Sequence, residues 1–129
     1  MTDGPTFYDR VGGQPFFETL TRRFYEGVAT DPLLRPLYPD GDDGLEESRR
    51  HLELFLIQYW GGPSDYNDQR GHPRLRMRHA PFVIGPAQRD AWVRHMTVAV
   101  KGAGLSPLDE MQLQSYLTSS AAHLTNSPI

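Results

Sequence analysis

The sequence predicts an all-α protein, and three observations carry that expectation. Apolar residues recur at three- and four-residue intervals in four long segments. Prolines, glycines and hydroxyl or acidic residues bracket those segments where helices would begin and end. No stretch alternates apolar and polar residues as a half-buried strand would.

Thr6 and Asp9 have the spacing of a capping pair for a short first helix, Phe7 to Val11, which Gly12 and Gly13 would stop. Pro15 suits the first turn of a second helix, where Phe16, Leu20, Phe24 and Val28 recur every four residues with Phe17 alongside. Asp31-Pro32 ends it, and a turn or short helix leads to Tyr38-Pro39. The stretch YPDGDDGLEE crowds three aspartates and so raises a calcium loop. Counted from Asp40, however, the fifth position is Gly44 and the twelfth is His51, where an EF-hand needs a carboxylate. It therefore reads as an acidic loop ahead of a helix N-terminus.

From Leu45 to Trp60 the pattern is again helical, with Leu45, Ser48, Leu52, Phe55, Leu56 and Tyr59 on one face. Gly61-Gly62-Pro63 stops that helix, and a polar loop runs on through Pro73. A short helix from about Arg74 to Ala80 follows, ended by Pro81. Beyond the break at Gly85-Pro86, a helix to Lys101 aligns Trp92, Met96, Ala99 and Ala103. The last helix opens with Ser106, Pro107 and Asp109 as cap, first-turn proline and third-position acid. Its stripe is Leu113, Tyr116, Leu117, Ala121 and Leu124. Two short and four long helical segments are expected.

A chain of 129 residues is expected to form a single domain over residues 1–129, with residues 1–5 as a flexible tail. A net charge of −3 and a pI near 5.9 argue against a nucleic-acid binder, whose domain would be basic. The absence of cysteine excludes disulfides, thiolate metal sites, iron–sulfur clusters and covalent haem attachment through CxxCH. The opening MTDGPTFYDR lacks the charged start and apolar run of a secretory signal, and eighteen apolar residues never run together. A cytoplasmic protein with no membrane partner is the expectation.

The histidines are scattered, and no two fall at the i, i+3 or i, i+4 spacing of a helical metal pair. His72 precedes a proline and belongs to a loop. His79 differs from the rest, because the short helix puts it on one face with Leu75, one turn earlier. Arg74 and Arg78 stack on an adjoining face. An imidazole so placed is either a structural or exposed residue, or a single axial ligand to a haem whose carboxylates pair with guanidinium groups. Tyr25, Tyr38, Leu52 and Trp92 could line the facing side of such a pocket, or could simply be core residues with a polar tip.

Several blocks in order carry a family resemblance: FYDRVGG at 7–13, RRFYEGV at 22–28, LFLIQYWGGP at 54–63, RGHPRLRMRHAPF at 70–82, RDAWVRHM at 89–96 and the closing NSP. From about Phe7 to Pro128 the chain resembles the group II (O-type) truncated haemoglobins of actinobacteria. That resemblance implies a shortened globin fold, a two-over-two helical sandwich around haem b. By motif position it makes His79 the proximal iron ligand. Tyr25, Tyr38 and Trp92 become the distal donors, with Leu52 beside them and Ser48 where many globins place a distal histidine. Leu56, Met77 and Phe82 are implied as apolar haem contacts, and Arg74, Arg76 or Arg78 as the propionate partner, with Arg78, next to the ligand, favoured. His51 stands where a basic residue often reaches a propionate. The implied function is reversible binding of O2, and of CO and NO, at a five-coordinate iron for transport or storage. A redox enzyme, either NO dioxygenase or peroxidase-type and served by a reductase, is the alternative. Monomer and homo-oligomer are both open.

Overall fold

A computed structural model describes residues 4–38 and 41–127. Seven α-helices follow one another among these residues: α1 (Phe7–Arg10), α2 (Gln14–Thr30), α3 (Gly41–Tyr59), α4 (Asp65–Arg70), α5 (Leu75–His79), α6 (Pro86–Lys101) and α7 (Pro107–Leu124). A single 3₁₀ turn, Arg35–Leu37, links α2 towards Tyr38. The described residues contain no strand. Helix α2 packs on α3 and α6 packs on α7, while α2 also packs on α6, which joins the two pairs into a two-over-two sandwich.

Local chemistry accounts for most of the boundaries. The Thr6 hydroxyl accepts from the Asp9 N–H at 3.2 Å and the Asp9 carboxylate accepts from the Thr6 N–H at 3.1 Å, so the expected capping pair is formed. Ser106 caps α7 in the same manner, accepting from the Asp109 N–H at 3.2 Å. At the end of α3, Gly61 has a φ of +100°, and a Cβ there would come within 2.6 Å of the Thr6 side chain. A side chain is thus refused twice, by conformation and by space.

Three expectations need correction. The residues from Gly41 onward are not a loop: they form the first turns of α3, with Asp42 and Asp43 where carboxylates favour the helix dipole. Asp40 itself lies outside the described residues. The polar stretch after Pro63 is not all loop, since Asp65–Arg70 is helical and buries Tyr66. Finally, α3 does not keep one inward stripe. Tyr59 is 52% exposed, whereas Arg49 and Glu53 are buried. Of the expected tail, residues 1–3 lie outside the described residues, and Gly4 and Pro5 are exposed and irregular.

The core joins Phe17, Leu20, Phe24 and Val28 of α2 to Leu56 and Ile57 of α3, Met96 and Val100 of α6, and Leu113 and Leu117 of α7. Each fully buried large side chain contributes about 1.5–3 kcal/mol. Inside it sits an ionic knot. Arg49 Nη1 donates to Glu53 Oε1 at 2.8 Å and to the Thr21 hydroxyl at 3.1 Å. Gln14 and Arg50 donate to the other Glu53 oxygen at 2.9 and 2.7 Å. Both oxygens of the buried carboxylate are engaged, and α2 is tied to α3.

Candidate functional site

The two helix pairs enclose a cavity of about 410 Å³ whose wall draws on α2, the turn before α3, and α3 through α7. Most of the wall is aliphatic or aromatic, including Leu34, Leu37, Leu52, Leu56, Ile84 and Leu124. His79 enters it from α5, with Leu75 from the same face. The Nδ1–H of His79 donates to the Leu75 carbonyl at 2.6 Å, which sets the tautomer and leaves Nε2 free to ligate.

A five-residue helix is too short to persist by itself, so its position has to be imposed by its surroundings. Arg74 opens it with a left-handed backbone, φ 45°, the one described residue besides glycine with positive φ. The His72 imidazole accepts from the Arg74 N–H at 3.3 Å, which gives this loop histidine a structural place. Arg78 donates from Nε to the Pro73 carbonyl at 2.8 Å and from Nη2 to the Arg70 carbonyl at 2.9 Å, closing the loop onto the helix. Behind α5, the Asn126 side chain accepts from the Ile84 N–H at 2.9 Å and donates to the carbonyls of Phe82 at 2.9 Å and His79 at 3.3 Å. The NSP motif therefore has a mechanical meaning, which pattern reading noted only as a signature.

Tyr25, Tyr38, Ser48, Leu52 and Trp92 all line the same cavity. The Tyr25 and Tyr38 rings meet edge to face at 5.5 Å, and Trp92 meets Phe24 at 5.2 Å. Burial pushes the Tyr25 phenol well above its usual range. The charge and hydrogen bond of Tyr38 push it further, and Arg49 draws it partly back. Tyr38 is raised by burial and lowered by its bond to Tyr25. Both phenols consequently remain protonated donors at neutral pH. The Trp92 indole nitrogen can only donate.

At one side of the cavity the cations collect. Arg70 and Arg78 lie in the wall near His51, and Arg89 lines the same cavity from α6. Arg70 Nη1 lies 3.0 Å from His51 Nε2, and because a guanidinium can only donate, this imidazole nitrogen is the acceptor. Burial first, and then the neighbouring Arg70, lowers the His51 pKa. The Nε–H of Arg70 is buried without any partner. An orphaned cationic donor in a cavity wall calls for an anion. Arg78, by contrast, has two of its nitrogens committed to backbone carbonyls. Leu56 and Phe82 are in the wall as expected, whereas Met77 is outside it and 59% exposed. Arg70 was missed in the sequence because it belongs to the unforeseen α4; its signal is position, eight residues before Arg78 and facing the same loop.

An apolar cavity, one oriented imidazole and an unpaired guanidinium donor suit a flat, largely apolar macrocycle that carries carboxylates. The residues present fit a haem, and a helical sandwich with such a pocket is of the globin class. A model of the bacterial-like globin family matches residues 6–126. A group 2 truncated hemoglobin of Bacillus subtilis is 40% identical over 119 residues, covering 92% of this chain and 87% of that protein. Among solved structures, a thermostable hemoglobin from the actinobacterium Thermobifida fusca is 52% identical with a TM-score of 0.93, covering 97% of this chain and 100% of the other. The group II truncated hemoglobin from Bacillus anthracis is 35% identical with a TM-score of 0.91, covering 99% and 96%. The chain belongs to the bacterial-like globins, and within them to the group II truncated haemoglobins. Membership implies a haem cofactor and the binding of small gas ligands such as O2.

Proposed function

We propose that this is a cytoplasmic, single-domain haem b protein that binds O2 reversibly for transport or storage, with His79 as the iron ligand. The observation that carries this reading is the 2.6 Å bond from His79 Nδ1–H to the Leu75 carbonyl, which presents the second ring nitrogen within an apolar cavity. Ferrous haem held by one imidazole offers an open sixth position to O2, CO or NO. Around that position this chain supplies donors: the Trp92 indole N–H, the Tyr38 hydroxyl, and Tyr25, which donates to Tyr38 and orients it. Ser48 puts only a small side chain at the distal gate, and Leu52, Leu56 and Phe82 keep the surroundings dry. Arg70 holds a haem carboxylate through its unpaired Nε–H, with His51 steadying it from the other side and Arg78 bracing the loop between them.

The test is haem reconstitution. The wild-type chain should show a Soret band and a five-coordinate ferrous spectrum. His79→Gly should lose that signature and regain it on adding free imidazole. A His79→Gly variant with an unaltered ferrous spectrum would remove His79 from the role.

A further inference from the structure

The donors around the ligand position come from separate parts of the chain: Tyr25 from α2, Tyr38 from the turn beyond it and Trp92 from α6. Between the two tyrosines, Asp31 ends α2 and is buried. Its Oδ1 accepts from the Leu33 N–H at 2.7 Å and from the Leu34 N–H at 3.2 Å. Its main-chain carbonyl accepts from the Arg35 N–H at 2.9 Å. These bonds shape the corner that runs on through Leu34 and Leu37 to Tyr38, all three of them in the cavity wall. Shaping the corner alone would be met by asparagine or serine. The second carboxylate oxygen turns instead to α6, where it accepts from His95 Nε2–H at 2.6 Å and from Arg94 at 3.2 Å. Arg94 is mostly exposed, so its pairing contributes little and the His95 bond is the link that counts. That bond lowers the Asp31 carboxyl below its usual range, burial works against it, and the backbone bonds lower it further. The group is therefore a carboxylate that only accepts, and His95 Nε2 carries the hydrogen.

His95 stands one turn after Trp92 on α6. Its ring lies against Gly27 of α2, where a Cβ would collide with Nδ1. One turn earlier on both helices, the Trp92 ring meets Phe24 at 5.2 Å. Helices α2 and α6 thus meet at two points a turn apart. The ring contact is apolar and lets the indole slide, because burial has no preferred direction. The bond to Asp31 does have one, and it fixes the α6 turn against the end of α2. Neither Asp31 nor His95 lines the cavity. We propose that His95 and Asp31 are positioning residues for gas binding, whose bond holds the Trp92 turn of α6 against the corner that carries Tyr38. The proposal rests on the haem reading above and deepens it: the residence time of the bound gas is set in part by a pair that never touches it. Without the bond, the Trp92 N–H and the Tyr38 hydroxyl no longer converge on one ligand position, since each belongs to a segment that can move without the other.

The experiment measures O2 dissociation by stopped flow in the haem-loaded protein, and the C–O stretch of its CO complex by infrared spectroscopy. His95→Leu should release O2 about threefold to tenfold faster. It should also raise the C–O stretch towards the value in Trp92→Phe, as loss of a donor to the ligand oxygen does. His95→Gln, whose amide nitrogen can still donate to Asp31, should stay within about twofold of the wild-type rate. In the Trp92→Phe background, His95→Leu should change the rate by less than about twofold, because the pair acts through the indole. An unchanged rate in His95→Leu, or an equal acceleration in the Trp92→Phe background, would overturn the positioning role while leaving the haem reading intact. A chain that takes up no haem overturns both.

Discussion

Trp92, Tyr25 and Tyr38 reach the cavity as three donors with unequal freedom. The tyrosine hydroxyls are hydrogen-bonded to one another, whereas the Trp92 indole can only donate. It is therefore the donor most available to an incoming ligand. Hydrogen bonds to charged or strongly polarised groups contribute about 1.5–3 kcal/mol. Trp92→Phe should then release O2 roughly ten- to a hundredfold faster in stopped-flow measurements. On the opposite charge, Arg70→Leu should raise the rate of haem transfer to an acceptor globin by a similar factor, about tenfold or more. His51 adds a pH dependence whose sign follows from its lowered pKa. The unfolded chain takes up this proton near 6.5 while the folded chain resists it, so the contribution is present above 6.5 and fades as pH falls below it. The folding stability of the haem-free chain should weaken through that window, and His51→Gln should flatten the profile. Helix period and flanking prolines singled out His79 and offered Tyr25, Tyr38, Leu52 and Trp92 as residues of one pocket, and all of them line the cavity, but only the family resemblance gave them roles. Sequence pattern could not find Arg70, whose importance depends on a buried orphan nitrogen that only packing creates.

At the scale of elements, α5 shows how a segment with little intrinsic stability is held by its neighbours. Five residues supply almost no helical cooperativity. The bracketing prolines were legible in the sequence, and so was the shared face of Leu75 and His79. The brace was not, since the residues that supply it lie far along the chain. Asn126→Ala removes three side-chain hydrogen bonds, to Ile84, Phe82 and His79. The expected cost is about 1–2 kcal/mol in haem affinity, read by titration, with little change in helix content by circular dichroism. Helix α4 and the start of α3 escaped pattern reading for a different reason. Gly41, Asp42, Asp43 and Gly44 have turn chemistry, and the helix dipole rather than propensity makes the aspartates welcome there.

Across the whole molecule, the ion knot at Glu53 sets the relation of α2 to α3, and with it the wall that carries Tyr25 and Leu52. Glu53→Leu would leave Arg49 buried without its partner and should cost about 3–5 kcal/mol, seen as a lower denaturant midpoint at unchanged slope. Replacing Arg49 and Glu53 together with apolar residues of like volume should recover much of that loss. A period-based reading assigned α3 one apolar face and passed over these two charges, because buried charge is permitted only by partners from another helix. The all-α class and the long helices were visible one segment at a time; the cavity exists only once distant helices have met. The contacts made by Asn126 also order events in time. During synthesis, α5 and His79 leave the ribosome well before residue 126, and until that residue arrives the loop carrying the imidazole lacks its rear support. Cofactor capture is thereby placed after most of the chain has been made, when the helical sandwich is ready to close around it.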